Sequence, residues 1–213
     1  KLQGIRKELT AVELTRLMGN GINLGNTMEA YGHASLGTNA AVSSYETLWG
    51  QPVTTQEMIT AMKKSGFDTI RIPVAWTNTM NFESGDYTIR EDWFARIEEI
   101  VGYAMNENMY VIVNDHWDGS WWGMFGSATA KTRQKAMDMY ISMWTQIAER
   151  FKNYSDYLIF ESANEELGDR LNDQDIAKDS GTLSTNECYE ITNKINQTFV
   201  DTVRATGGNN SQR

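Results

Sequence analysis

The sequence predicts an α/β chain built on a parallel sheet, with a ligand cleft at the carboxyl ends of its strands. Three observations carry that expectation. Short apolar, β-branched runs alternate with amphipathic helical runs, the pattern of successive βαβ units. Each apolar run leads directly into Asn, Arg, Asp, His or Glu, and catalytic groups in parallel α/β folds sit just past the strand ends. The long segments 27–52, 116–129 and 166–183 each follow a strand, so they all build up the same side of the sheet.

The elements follow in order. Gly21-Ile22-Asn23-Leu24-Gly25-Asn26 reads as a first short strand and its exit. A helix is expected from about Thr55 to Ser65, with Thr54 and Glu57 at capping-box spacing and Gly66 as its stop. Thr69-Ile70-Arg71-Ile72-Pro73-Val74 is the second strand. A helix from Asp92 to Asn106 carries Phe94, Ile97, Val101 and Met105 at helical spacing. Tyr110 to Asn114 is the third strand. Lys131 to Phe151 is a long helix whose stripe of Met139, Met143, Trp144, Ile147 and Phe151 reads as core packing. Tyr157 to Phe160 is the fourth strand. Ser184 and Glu187 form a second capping box for a last helix along Ile191, Ile195, Phe199 and Val203, ended by Gly207-Gly208.

Composition narrows the function. A chain of 213 residues suits one domain with a real core and is short for a complete eight-stranded barrel. With 40% hydrophobic and 22% charged residues it is of the soluble globular type. The net charge of −9, without a cluster of Lys and Arg, argues against nucleic acid. No apolar run approaches a membrane span. The single Cys188 rules out a disulfide within the chain and reads as a buried helical thiol. One Cys with His33 and His116 gives no structural zinc site. No glycine-rich phosphate loop follows the first strand. A first residue of Lys1, with no initiator methionine, is what a chain trimmed of a secretion signal would show, so a secreted or cell-surface location is expected. Seven tryptophans are many for this length, and indoles stack well on sugar rings.

The strand exits hold the chemistry. They present Asn23 and Asn26, then Arg71 and Trp76, then Asn114, Asp115, His116 and Trp117 with Trp121 and Trp122 close behind, then Asn164, Glu165 and Glu166. Polar groups that orient hydroxyls recur at every exit. Arg71, inside an apolar strand, needs a carboxylate partner: a structural ion pair or a catalytic carboxylate. A lone Asn-Glu pair most often caps a helix, and a lone His116 most often satisfies a core. A carboxyl group beside an amide at a strand end also suits a general acid of raised pKa.

Three blocks, Asn23-Leu24-Gly25-Asn26-Thr27, Gly66 to Val74, and Asn164-Glu165, resemble the N-terminal motifs of glycoside hydrolase family 5, in order and spacing, over nearly the whole chain from Gly21. The resemblance implies a parallel (β/α) barrel of the TIM type, of which this chain would supply about the first four βα units. It implies an endo-acting retaining hydrolase of β-1,4-glucan: cellulose, mixed-linkage glucan or the xyloglucan backbone. Glu165 would be the acid/base, Asn164 would bind the sugar 2-hydroxyl, Arg71 would hold the nucleophile and His116 would line the same subsite. By position, Asn26, Trp76, Trp117, Trp121 and Trp122 would contact substrate. Glu166 stands where the family usually has Pro, and Trp117 where it often has a second His. No metal or organic cofactor is implied, and a bacterial source is expected.

A retaining glycosidase needs a second carboxylate about 5–5.5 Å from the first. In the family it lies on a later strand, so the nucleophile is expected outside this chain. Glu161, Glu166 and Glu29 are candidates by proximity alone. The chain is then expected to be the N-terminal half of one catalytic domain, completed by the C-terminal half of the barrel or by a second chain. A mannanase or xylanase of the same fold, a non-catalytic carbohydrate-binding half-barrel, and a half-barrel that dimerises through its open edges are the alternatives.

Overall fold

The computed structural model describes residues 4–213; the expectation drawn from Lys1 lies outside them. Four strands, β1 (Gly21–Asn23), β2 (Thr69–Ile72), β3 (Tyr110–Asn114) and β4 (Leu158–Glu161), form one sheet in the order β1-β2-β3-β4. All three pairings are parallel. Seven helices accompany them: α1 (Ala11–Leu17), α2 (His33–Leu36), α3 (Val42–Glu46), α4 (Gln56–Lys64), α5 (Glu91–Asn106), α6 (Ala130–Phe151) and α7 (Thr185–Ala205). The result is an open, partial barrel.

The two faces of the sheet differ. Ile70, Ile72, Val111, Val113 and Leu158 point to the face covered by α4 to α7 and are fully buried. On the other face, parallel register aligns Asn23, Arg71, Ile112 and Ile159 in one row, all partly open. In a closed barrel this row would face the axis.

Helix ends follow local chemistry. The hydroxyl of Ser184 accepts from Glu187 N while the Glu187 carboxylate accepts from Ser184 N, completing the expected box at α7. A second box, Thr10 with Glu13, starts α1, a helix that the strand-and-helix alternation does not anticipate. At α4 the cap is Thr55, which accepts from Met58 N, and not Thr54. Thr54 is buried, and its N–H donates to Glu46 Oε1 at 2.8 Å. Gly66 adopts φ +97° and turns the chain into β2. β2 is shorter than its apolar run: it stops at Ile72 because Pro73 has no N–H to continue the ladder.

The two long segments that follow β3 and β4 are locked together. A Cβ on Gly123 would lie 2.1 Å from Asp173 O, and one on Gly126 2.0 Å from Leu171 O. Ser180 Oγ donates to Gly123 O at 2.5 Å, and Ser127 Oγ donates to the Asp179 carboxylate at 2.8 Å. Gly123→Ala therefore forces backbone against backbone and should cost about 2 kcal/mol or more, measurable by urea unfolding; unchanged stability would show that the two segments are not in contact.

Candidate active site

Arg71 organises the strand ends. Its Nε donates to Glu161 Oε2 at 2.8 Å and its Nη2 to Glu161 Oε1 at 2.5 Å, a two-pronged ion pair reaching from β2 over β3 to β4. The same Nη2 donates to Asn164 Oδ1 at 2.8 Å. Asn114 Nδ2 donates to Glu161 Oε1 at 3.1 Å, and Val74 N donates back to Asn114 Oδ1 at 3.3 Å. Burial alone would raise the Glu161 carboxyl, but the hydrogen bonds from Arg71 and Asn114 and the charge of Arg71 hold it below its ordinary value. Of the two partners foreseen for Arg71, the structure supplies the one within the chain: Glu161.

The remaining exits place the other expected residues nearby. Asn26 sits past β1 at φ +58°, a left-handed position Asn tolerates, and its N–H donates to Glu29 Oε1 at 2.5 Å. Glu29, buried beneath it, also accepts from Thr27 N at 2.9 Å; burial raises its carboxyl above the ordinary value. His116 is half-buried and its N–H donates to Val74 O at 2.9 Å. Burial and the charge of Arg71 push its ring below the ordinary 6.5, so at neutral pH it is an uncharged imidazole that can donate at one nitrogen and accept at the other.

At the β4 exit the two glutamates diverge. The Glu165 side chain is 75% exposed, with Oε1 3.8 Å from Arg170 Nη1. Glu166 is 1% exposed, no donor meets either carboxyl oxygen, and burial raises its pKa. Asn164 lies between this turn and Arg71.

The tryptophans divide differently from expectation. Trp76, Trp121 and Trp122 are fully buried and offer no face to a ligand. Their N–H groups instead clamp the β3 exit residue by residue: Trp76 Nε1 to Asn114 O at 2.8 Å, Trp121 Nε1 to Asp115 Oδ2 at 3.0 Å, and Trp122 Nε1 to His116 O at 3.1 Å. The stacking role expected for these three is corrected to a structural one, because a buried indole seeks an acceptor and the strand exit supplies three. Trp117 alone of the four remains partly open, edge-on to Tyr31 with ring centroids 5.4 Å apart. Tyr31, Asn114 and Glu161 are site residues that sequence reasoning did not place in contact with substrate-facing groups; Glu161 was legible as the polar end of an apolar strand.

An arginine-held carboxylate, two amides, a half-buried histidine and an exposed glutamate thus gather at the ends of the parallel strands. The chain belongs to glycosyl hydrolase family 5, the cellulase family, whose profile matches residues 31–212. Among curated relatives it is 39% identical over 207 residues to an endoglucanase A of Ruminococcus albus, and 37% identical over 207 residues to a xyloglucan-specific endo-β-1,4-glucanase of Bacteroides ovatus. Each match covers 97% of this chain but only 52% and 38% of the relative. A solved broad-specificity endoglucanase from Ruminococcus champanellensis, with bound cellotriose, superposes with a TM-score of 0.82 at 37% identity, covering 97% of this chain and 56% of that one. The chain thus spans about half the length of the R. albus relative and of this solved enzyme.

Replacing Glu161 by Gln leaves Arg71 facing a neutral amide. Because both side chains stay partly open, 21% and 29% exposed, the cost should be about 1–3 kcal/mol, below that of a fully buried pair. The folded-state pKa of Glu161 is depressed, so the wild-type advantage should be full above the ordinary 4.5 and vanish as pH falls through the lowered value. Urea unfolding of both proteins from pH 7 to pH 3 checks this; a difference that grows toward acid would refute the ion pair.

Proposed function

We propose that this chain supplies the acid/base half of an endo-acting retaining β-1,4-glucanase, acting on cellulose, mixed-linkage glucan or the xyloglucan backbone. The observation that carries the reading is the adjacency of Asn164 and Glu165 at the β4 exit, with Asn164 anchored by Arg71 and Glu165 exposed. Its family and the endoglucanase names of its relatives support the substrate class.

In this mechanism Glu165 protonates the glycosidic oxygen as the bond breaks, then takes a proton from the attacking water. Asn164 donates from its Nδ2 to a sugar hydroxyl, because its Oδ1 is committed to Arg71. His116 and Trp117 line the same subsite, with Asn26 at its edge. The nucleophile comes from elsewhere in the barrel. Glu161 is engaged by Arg71 and Asn114, Glu29 by two backbone N–H groups, and Glu166 is buried with a raised pKa. The four strands, residues 1–213, then form the N-terminal half of one (β/α)₈ domain, and the C-terminal half or a second chain covers the open row of Arg71, Ile112 and Ile159. A polymeric glucan substrate goes with a secreted or cell-surface enzyme, here of bacterial origin.

In the complete enzyme Glu165→Gln should lower kcat on unactivated β-glucan about 10²–10⁴-fold, while Glu166→Gln should lower it far less. Reducing-sugar assays on purified variants decide this; the reverse ranking would move the acid/base role to Glu166.

A further inference from the structure

We infer that one buried turn, residues 76–79, sets the position of Trp117 by holding it from two sides, which makes Tyr31 and Thr77 positioning residues of the sugar subsite. That role rests on the reading of Trp117 as a wall of the hydrolase subsite. The turn follows β2, and all four of its residues are buried. Its two central residues reach different loops. Thr77 reaches the β3 exit, and Asn78 the segment after β1.

Asn78 fixes the backbone around Tyr31. Its Oδ1 accepts from Gly32 N at 2.8 Å and from His33 N at 3.2 Å, while its Nδ2 donates to Ala30 O at 2.9 Å. Residues on both sides of Tyr31 are thus tied to one amide. His33 adds a second tie. Its Nδ1 donates to Thr77 O at 2.5 Å, since a carbonyl only accepts, and its ring lies at 9° to Tyr31 with centroids 6.1 Å apart. Thr77 fixes the other loop. Its Oγ1 donates to Asp118 Oδ1 at 2.6 Å, and its N–H lies 3.2 Å from Oδ1 and 3.1 Å from Oδ2. Asp118 directly follows Trp117 in the chain.

The two loops meet at the rings. Trp117 and Tyr31, both partly open, pack edge to face at 76° with centroids 5.4 Å apart, a favoured aromatic arrangement. Asp118, Gly119 and Ser120 are all left-handed, at φ +49°, +70° and +59°. Such a run is costly outside glycine and persists only where surroundings enforce it; Thr77 holds its first residue. A Cβ on Gly119 would lie 2.2 Å from Tyr31 Cζ and 2.6 Å from both Cε1 and Cε2. Those distances set the glycine over one face of the ring at its hydroxyl end, where no side chain fits.

The backbone at Trp117 is fixed independently: His116 N donates to Val74 O at 2.9 Å, and Ser120 N to Trp117 O at 2.8 Å. What is left to set is the angle of the Trp117 ring, and among the described residues Tyr31 is the one aromatic ring packed against it. Trp117 stands where the family often has a second His, so this chain has a larger ring here and a second ring beside it. An indole offers a sugar its apolar face, and only at the angle at which the ring is held. Tyr31 therefore acts on substrate through Trp117. Removing it loosens binding and leaves the chemistry at Glu165 alone.

The test is a double-mutant cycle in the complete enzyme, with kcat and KM on soluble β-glucan and near-ultraviolet circular dichroism without substrate. Tyr31→Ala should raise KM about 2–10-fold, the size of one lost aromatic pair, with kcat nearly unchanged. Tyr31→Phe, which keeps the ring, should restore the wild-type KM. Trp117→Ala should raise KM further, and adding Tyr31→Ala to it should change nothing more, because Tyr31 then has no ring to position. Thr77→Val, which lacks the hydroxyl that holds Asp118, should also raise KM, and Thr77→Ser should restore it. In dichroism Tyr31→Ala and Trp117→Ala should remove the same aromatic band. Additive KM effects in the double variant, a fall in kcat without a change in KM, or an unchanged KM in Tyr31→Ala would overturn this role. Should Tyr31→Ala fail to fold, Tyr31→Leu takes its place in the cycle. A wild-type enzyme inert on β-glucan would refute the hydrolase reading instead; the shared dichroic band would then uphold the coupling of the two rings, and different bands would overturn it.

Discussion

The site depends on one interaction, the two-pronged contact of Arg71 with Glu161. An arginine between two buried isoleucines would be expensive to leave unpaired, so its presence demands an anion within reach. Parallel register sets Asn114 of β3 opposite Glu161 of β4, and Arg71 reaches past β3 to meet it. The consequences spread outward. Glu161 is held below its ordinary pKa, Asn164 Oδ1 is fixed, and the positive charge adds to burial in lowering the His116 ring. One guanidinium therefore bears on three residues of the site.

The second constraint is the β3 exit, where the chain leaves the sheet with His116 and Trp117 still partly open. Three indole N–H groups take the acceptors of three successive residues, 114 to 116, and bury themselves in doing so. Trp121 and Trp122 stack on each other, with centroids 4.4 Å apart, and pack on Phe125 and Tyr140. The exit is thus cemented from the core side, while His116 and Trp117 stay partly open. The same rigidity extends to the β4 exit through Gly123 and Gly126, whose missing side chains let two backbones touch.

Much of this was legible in the sequence. All four strands, the four longer helices and the polar strand ends could be read from apolar runs and periodicity, because β2, β3 and β4 bury one face under helices and each long helix carries one apolar stripe. Arg71 signalled its need for a carboxylate by its apolar neighbours, though not which one, since the register that brings β4 within reach is a tertiary property. Tryptophan roles were not legible: an indole near a strand end suits a sugar and a core equally well, and only burial separates Trp117 from Trp76, Trp121 and Trp122. The short helices α2 and α3 carry too few turns for a periodic signal. Thr54 and Thr55 are adjacent, and spacing alone does not say which of two neighbouring hydroxyls caps α4.

The most direct test of the account is chemical rescue of Glu165→Ala in the complete enzyme, using an aryl cellobioside with a good leaving group and added azide. Such a substrate needs no acid to depart, and azide needs no base to attack, so only the acid/base role is bypassed. The account predicts slow turnover that azide accelerates, with the β-configured glycosyl azide as product. Absence of rescue, or an α-configured product, would contradict the assignment of Glu165 and the retaining mechanism built on it.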